Sequence, residues 1–282
     1  MIAHVAPRVG AYPLGIVQPR MRASGPPLLP DERRRLIAER LLEHGSVSVS
    51  ALEAEFLISS MTARRDLDEL ERQGIARRTH GGAVLPGFSG HEDSFAHRLD
   101  VAAGAKERLA AAAVQLVEPG EAVFVDSSTT GYFAARKIVH ENVKCTIVTN
   151  SVPVMQLVAE TEAPQVDLIG IGGSLRRLTR SFVGPLALAG IEAHFADLAL
   201  FSVKRVSEDG YLTDPDALES EIKRAMIRRA RRSVLLVDGS KFDRPALSVV
   251  VRCNDVTIAL AADVARAALD RLVSAGIDAR SV

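Results

Sequence analysis

The sequence predicts a small winged helix-turn-helix domain followed by an α/β domain with a mostly parallel sheet. Three observations point there. Near the N-terminus, two short helical patterns lead to a third helix with basic residues on its outer face, and a Gly-Gly hairpin follows. Further on, short apolar segments alternate with helical patterns, as parallel α/β domains do. The 282 residues suit two domains of ordinary size. The expected division is an unstructured extension over 1–27, the DNA-binding-type module over 28–86, a linker over 87–105 and the α/β domain over 106–282.

Composition narrows the function classes. The chain is 47% hydrophobic and 25% charged, as expected for a soluble protein with real cores. No apolar run approaches the roughly 20 residues that a membrane helix needs, so no membrane partner is expected. Lys plus Arg equals Asp plus Glu, 35 against 35, so the overall charge neither favours nor excludes nucleic acid. Cys145 and Cys253 stand far apart, without metal-ligand spacing, and read as reduced thiols of a cytoplasmic protein. The seven histidines are scattered, so neither a zinc site nor any cofactor is expected. The stretch Met1 to Pro27 carries five prolines and three glycines and lacks the apolar core of a signal peptide.

In the first module Asp31 is a candidate helix cap, with Leu36, Ile37, Leu41 and Leu42 as an apolar stripe and Gly45 as a stop. Ser48 or Ser50 opens a short second helix, and Leu57-Ile58-Ser59 forms the turn. Ser59 or Ser60 then caps a third helix that runs to about Gln73. Ala63, Leu67 and Leu70 recur at helical spacing and define its buried face. Met61, Thr62 and Arg65 point the other way, with Arg64 on the flank. A helix entering the major groove reads bases with its first turns, and arginine is the commonest reader of guanine. Ile75 to Val84 folds back around Gly81-Gly82 into a wing with a basic edge suited to phosphates. The candidate DNA contacts are therefore Ser59, Ser60, Met61, Thr62, Arg64, Arg65, Arg77, Arg78, Thr79 and His80. A plain three-helix bundle with solvated arginines is the competing reading. Asp31 to His80 holds nine Arg against ten acidic residues, so placement rather than net charge must carry the case.

Met61-Thr62-Ala63-Arg64-Arg65-Asp66-Leu67, preceded by Ser46-Val47-Ser48-Val49 and followed by Arg78-Thr79-His80-Gly81-Gly82-Ala83-Val84, resembles the DeoR-family signature. That resemblance implies a recognition helix, a wing and double-stranded operator DNA as partner. Two positions depart from the family pattern: Leu57 stands where Gly is usual in the turn, and Ala63 where a larger aliphatic residue is common.

In the α/β part, strands are expected at 122–125, 146–148, 166–171, 197–202, 234–237 and 257–260. Nearly all end in hydroxyl, Gly, Asn or Lys residues, and open α/β sheets bind ligands at the carboxyl ends of their strands. Asp126-Ser127-Ser128-Thr129-Thr130 offers hydroxyls and backbone N–H groups at a helix start, where phosphate is stabilised. Ser/Thr clusters are also ordinary helix caps. Gly170-x-Gly172-Gly173 lacks the following helix of a dinucleotide fingerprint. These segments resemble the DeoR-family sensor domain, and the likeness runs from about Asp31 to Leu260. It implies a small phosphorylated sugar as effector, held by Asp126, Ser127, Ser128, Thr129, Thr130, Thr149, Asn150, Gly172, Gly173, Lys204, Lys223 and Lys241. It also implies a homo-oligomer, dimer or tetramer, and most often repression of carbohydrate genes. Arg205 departs from the Gly common after Ser-Val-Lys.

Two other function classes compete. A sugar-phosphate isomerase or deaminase needs a positioned acid or base. The loop after the fourth strand reads Lys204-Arg205-Val206-Ser207 and lacks the expected carboxylate, so Asp126, Asp214 or Glu219 would have to substitute. An interaction module that binds no DNA is the third class. No enzyme activity is expected.

Overall fold

The computed structural model describes residues 28–44, 46–79, 81–84, 94–242 and 245–282. The expectations for 1–27, Gly45, His80 and the first part of the linker, 87–93, lie outside the described residues.

The first module comprises α1 (Pro30–His44), β1 (Ser46–Ser48), α2 (Val49–Phe56), α3 (Ser60–Arg72), β2 (Arg77–Thr79) and β3 (Gly82–Val84). Helix α1 already includes Asp31, which sits in its first turn instead of capping it. Ser48 caps α2 by accepting from the Ala51 N–H, and Ser59 caps α3 by accepting from the Thr62 N–H. Ala63, Leu67 and Leu70 are buried as their spacing predicts, against Ile37, Leu41 and Leu52. The wing is a three-stranded sheet in the order β1-β3-β2, with one strand more than the hairpin expected. Strand β1 escaped the sequence reading because three residues are too few to show alternation. Gly82 is required where β3 crosses β1, since a Cβ there would run into the Val47–Ser48 backbone.

The segment expected to be a linker is partly helical. It carries α4 (Phe95–Asp100) and the start of α5 (Ala103–Val114). Phe95 is buried and meets Tyr132 edge-on at 5.8 Å, so tertiary packing orders a stretch too short to show periodicity. The α/β domain continues with β4 (Glu121–Val125), α6 (Thr129–His140), β5 (Cys145–Thr149), α7 (Val152–Glu160) and β6 (Val166–Gly170). A hairpin of β7 (Ser174–Arg176) and β8 (Ser181–Val183) leads to α8 (Pro185–Glu192) and β9 (Ala196–Phe201). Next come β10 (Arg205–Val206), β11 (Tyr211–Asp214), α9 (Ala217–Arg229) and β12 (Ala230–Asp238). The chain closes with β13 (Ser248–Arg252), β14 (Ile258–Ala262), α10 (Arg266–Ser274) and β15 (Asp278–Ser281).

Seven strands form one sheet in the order β15-β14-β12-β9-β4-β5-β6, and every pairing in it is parallel. Buried on both faces, the central strands read as near-continuous apolar runs such as Val234–Val237. Strands β10, β11 and β13 form a separate antiparallel sheet. From β4 the chain winds outward through β5 and β6, then returns to lay β9 on the other side of β4. The topological switch point therefore lies between the carboxyl ends of β4 and β9, where such folds open a ligand crevice. Among the described residues, no helix is long and apolar enough to cross a membrane. Cys145 and Cys253 are free and buried, and burial pushes both thiols up to about 11.

Candidate nucleic-acid interface and ligand pocket

Helix α3 presents Ser60, Met61, Arg64 and Arg65 to solvent, with Thr62 half-buried beside its cap Ser59. Its inner face holds a charge that periodicity did not reveal. Asp66 is buried and accepts from Arg33 Nε at 2.5 Å and from Arg33 Nη2 at 3.2 Å. This two-pronged pair ties α3 to α1 and fixes the roll of the outward arginines. Arg78 is also engaged within the module. Its backbone N–H donates to Glu71 at 2.6 Å, its Nε donates to Asp68 at 2.8 Å, and its Nη1 donates to the Gly82 carbonyl. It thus clips the wing to α3. Arg77 and Thr79 are exposed on β2.

The turn between α2 and α3 stores strain. Leu57 adopts φ 53° and ψ 44°, the left-handed region in which a β-carbon is costly, and its side chain is 84% exposed.

At the switch point a pocket is lined by Ser127 and Ser128 after β4, Lys204 after β9, Asp214 at the end of β11, and Lys223 and Glu219 on α9. Arg98 on α4 and Thr179 in the β7–β8 turn complete its wall. Three buried carboxylates meet here, Asp214 and Glu219 in the lining and Asp126 outside it. Asp126 is fully buried and accepts from the Ser128 N–H at 3.1 Å, the Ser128 hydroxyl at 2.5 Å and the Ser202 N–H at 3.2 Å. Burial pushes its carboxyl up, against the pull of Lys223 and these donors. Glu219 accepts from the hydroxyls of Ser127 at 2.7 Å, Thr179 at 2.6 Å and Ser181 at 2.5 Å. Burial alone would raise it, but Lys223 and the three hydroxyls hold it below the usual carboxylate range.

Lys223 differs from the expectation of a lysine waiting for a phosphate. Its Nζ donates to Asp214 at 2.5 Å and to the Ser202 carbonyl at 2.7 Å, and Asp126 lies 3.4 Å away. Burial would lower its pKa, but Asp214, Asp126 and Glu219 reverse that and hold the ammonium charged. Its counter-ions are already in the protein.

A second group of cations is less fully compensated. Arg98 has its Nε and Nη2 buried without hydrogen-bond partners. Lys241 is lowered first by burial and then by Arg98 and Lys204, with Asp238 opposing. Lys106 is lowered to about 8 by burial and by Lys241 and Arg98. Four cations therefore press on one another beside the serine loop, which is where an anion would be stabilised.

The remaining expected residues are placed as follows. Thr129 and Thr130 are buried in the first turn of α6, and the Thr129 hydroxyl donates to the Arg98 carbonyl at 3.4 Å. Thr149 donates to the Val125 carbonyl at 2.7 Å, bracing β5 to β4. Asn150 donates to the Phe182 carbonyl at 2.8 Å, while its Oδ1 is buried without a partner. Gly173 allows close packing, since a Cβ would press on Ala187 and the Val183 carbonyl. Gly172 is exposed. Of the expected effector residues, Ser127, Ser128, Lys204 and Lys223 line the pocket, whereas Asp126, Thr129, Thr130, Thr149, Asn150, Gly172, Gly173 and Lys241 do not. Sequence reasoning missed Arg98, Thr179 and Ser181. A lone arginine in a short segment carries no pattern, and the hydroxyls lie 38 to 40 residues from their carboxylate partner. Among the described residues, no group of three or more His, Cys, Asp or Glu side chains is arranged to hold a metal.

A family model described as a DeoR-like helix-turn-helix domain matches residues 33–87, and one described as a DeoR C terminal sensor domain matches 102–261. The L-fucose operon activator of Escherichia coli (strain K12) is 31% identical over 227 residues, covering 80% of this chain and 92% of that protein. The putative aga operon transcriptional repressor of Escherichia coli O157:H7 is 33% identical, covering 78% and 81%. The HTH-type transcriptional regulator GlpR of Haloferax volcanii is 35% identical, covering 77% and 84%. Among solved structures, ribose 5-phosphate isomerase A of Methanocaldococcus jannaschii matches at 18% identity and a TM-score of 0.37, covering 50% of this chain and 55% of that one.

Proposed function

This chain belongs to the DeoR family of DNA-binding transcriptional regulators, and from that premise we propose that it represses genes of carbohydrate metabolism and leaves its operator when a phosphorylated sugar binds the switch-point pocket. The carrying observation is Arg98, whose Nε and Nη2 are buried without hydrogen-bond partners in the pocket wall it shares with Lys204 and the Ser127–Ser128 loop, with Lys106 and Lys241 close enough to add to the positive charge. A phosphate brought there accepts from bare guanidinium nitrogens and relieves the mutual repulsion of the cations. The hydroxyls and carboxylates of the pocket suit the polyol part of the ligand. Enzymatic turnover is disfavoured because each buried carboxylate is already committed to donors within the protein.

On the DNA side, Arg64 and Arg65 read base edges, while Ser60, Arg77 and Thr79 contact phosphates. A single module covers one half-site, so the functional form is a homo-oligomer that pairs two. It works in the cytoplasm.

The test is fluorescence anisotropy on the chain bound to a DNA fragment from its own upstream region. It is titrated with hexose and pentose phosphates, each paired with its parent sugar. Release by a phosphate ester at concentrations where the parent sugar does nothing supports the reading, and equal response to both members of a pair refutes it.

A further inference from the structure

Helix α4 belongs to the stretch joining the two domains, yet it carries the pocket's bare guanidinium. Its first turn is held from outside: the Phe95 N–H donates to the Leu178 carbonyl at 2.9 Å. The Leu178 side chain packs against Val84 of the wing strand β3. The next residue, Thr179, lines the pocket and donates to Glu219. The other end of α4 is held by Lys106, whose Nζ donates to the carbonyls of Arg98 and Val101. Helix α4 also lies against α1 of the DNA-binding module. One short element thus touches the pocket and α1, and reaches the wing through Leu178.

Without an anion, α4 docks at an electrostatic disadvantage. Arg98 leaves two buried nitrogens unsatisfied and sits among Lys106, Lys241 and Lys204. Unpaired buried charge is costly, so the docked position of α4 is tighter when an anion fills the gap. A ligand moves a two-state element only through such a difference in interaction between the states.

We propose that α4 is the relay of this regulator: an anion held by Arg98 tightens α4, and the Phe95–Leu178–Val84 contacts carry that change to the wing. This rests on the anion-pocket reading above. Arg98 is then a positioning residue as well as a ligand contact, and pocket occupancy is reported through packing at Leu178.

The experiment is amide hydrogen exchange read by mass spectrometry on the full chain. The probes are inorganic phosphate and glucose 6-phosphate, with chloride at matched ionic strength as the reference. In the wild-type protein, exchange should slow by about fivefold or more, the lower end of typical allosteric coupling, over 127–131, 95–101 and 82–84. Leu178→Ala should keep the protection at 127–131 and 95–101 and lose it at 82–84. Arg98→Met, which keeps the apolar stem, should lose it at 95–101. Circular dichroism melts check that each variant is folded, and Val84→Ala cuts the same wing contact should Leu178→Ala not fold. Protection at 127–131 with none at 95–101 in the wild-type protein overturns the relay and leaves the pocket reading intact. Protection at 82–84 that survives Leu178→Ala or Val84→Ala overturns the route. Undiminished protection at 95–101 in Arg98→Met overturns the role of Arg98. No protection at 127–131 with either probe overturns the pocket reading and the relay together.

Discussion

Replacing Asp66 by Ala should cost the DNA-binding module most of its stability, although Asp66 lies on the buried face of α3, away from its exposed arginines. The Asp66 and Arg33 side chains are 4% and 9% exposed and share two hydrogen bonds. Removing the carboxylate leaves Arg33 buried with the Leu28 carbonyl, at 3.1 Å from Nη1, as its remaining acceptor among the described residues. Breaking a buried pair from one side costs about 3–5 kcal/mol. A module of this size is worth roughly 3–8 kcal/mol at the usual stability per residue. Asp66→Ala should therefore lose operator binding and the module's unfolding transition, while the α/β domain keeps its own. The reverse change should be milder, because Arg34 Nη1 lies 3.7 Å from Asp66 and remains after Arg33→Met. Combining Arg33→Met with Asp66→Leu should recover most of the loss, since an apolar pair of similar volume replaces the ion pair at little cost. Urea denaturation followed by circular dichroism reads all three proteins, and anisotropy reads operator binding. An Asp66→Ala protein as stable as wild type within about 0.5 kcal/mol, the range of ordinary surface changes, would refute the reasoning.

Three further outcomes follow from the geometry. Leu57→Gly should stabilise the module by about 0.5–1 kcal/mol, because relief of left-handed strain outweighs the added chain entropy, while the exposed Leu57→Ala should change little; equal effects in thermal melts would deny the strain. Arg65→Ala should weaken specific operator binding by about 1–3 kcal/mol with less effect on random DNA, and unchanged specificity in competition gel shifts would remove Arg65 from base reading. Effector affinity should fall as pH rises through about 8. Lys106 is lowered to about 8 in the free protein, among Lys241, Asp238, Arg98 and Asp100. A bound anion favours its charged form and raises that pKa, so binding takes up a proton above pH 8 and weakens as protons become scarce. Calorimetry in buffers of different ionisation enthalpy, showing no proton uptake at pH 8.5, would contradict this.

The local elements were legible because their signals are local. The serine caps of α2 and α3, the Ala63-Leu67-Leu70 stripe and the Gly-Gly wing turn follow from backbone chemistry within a few residues. The parallel sheet was legible because strands buried on both faces must be apolar throughout. The sequence also contained the serine loop of the pocket, since hydroxyls at a strand end before a helix form a recognisable pattern. Tertiary structure alone decided which charges face each other. Lys223 and Lys241 look alike in sequence, yet Lys223 sits against Asp214 and Asp126 and is raised, whereas Lys241 is lowered by burial and by Arg98 and Lys204 despite Asp238. Arg98 lay in what read as a linker and became part of a binding wall only when Phe95 docked α4 on the domain. Periodicity shows which side of an element is buried, but electrostatic pairing falls off over a few ångströms and depends on residues brought together from far along the chain.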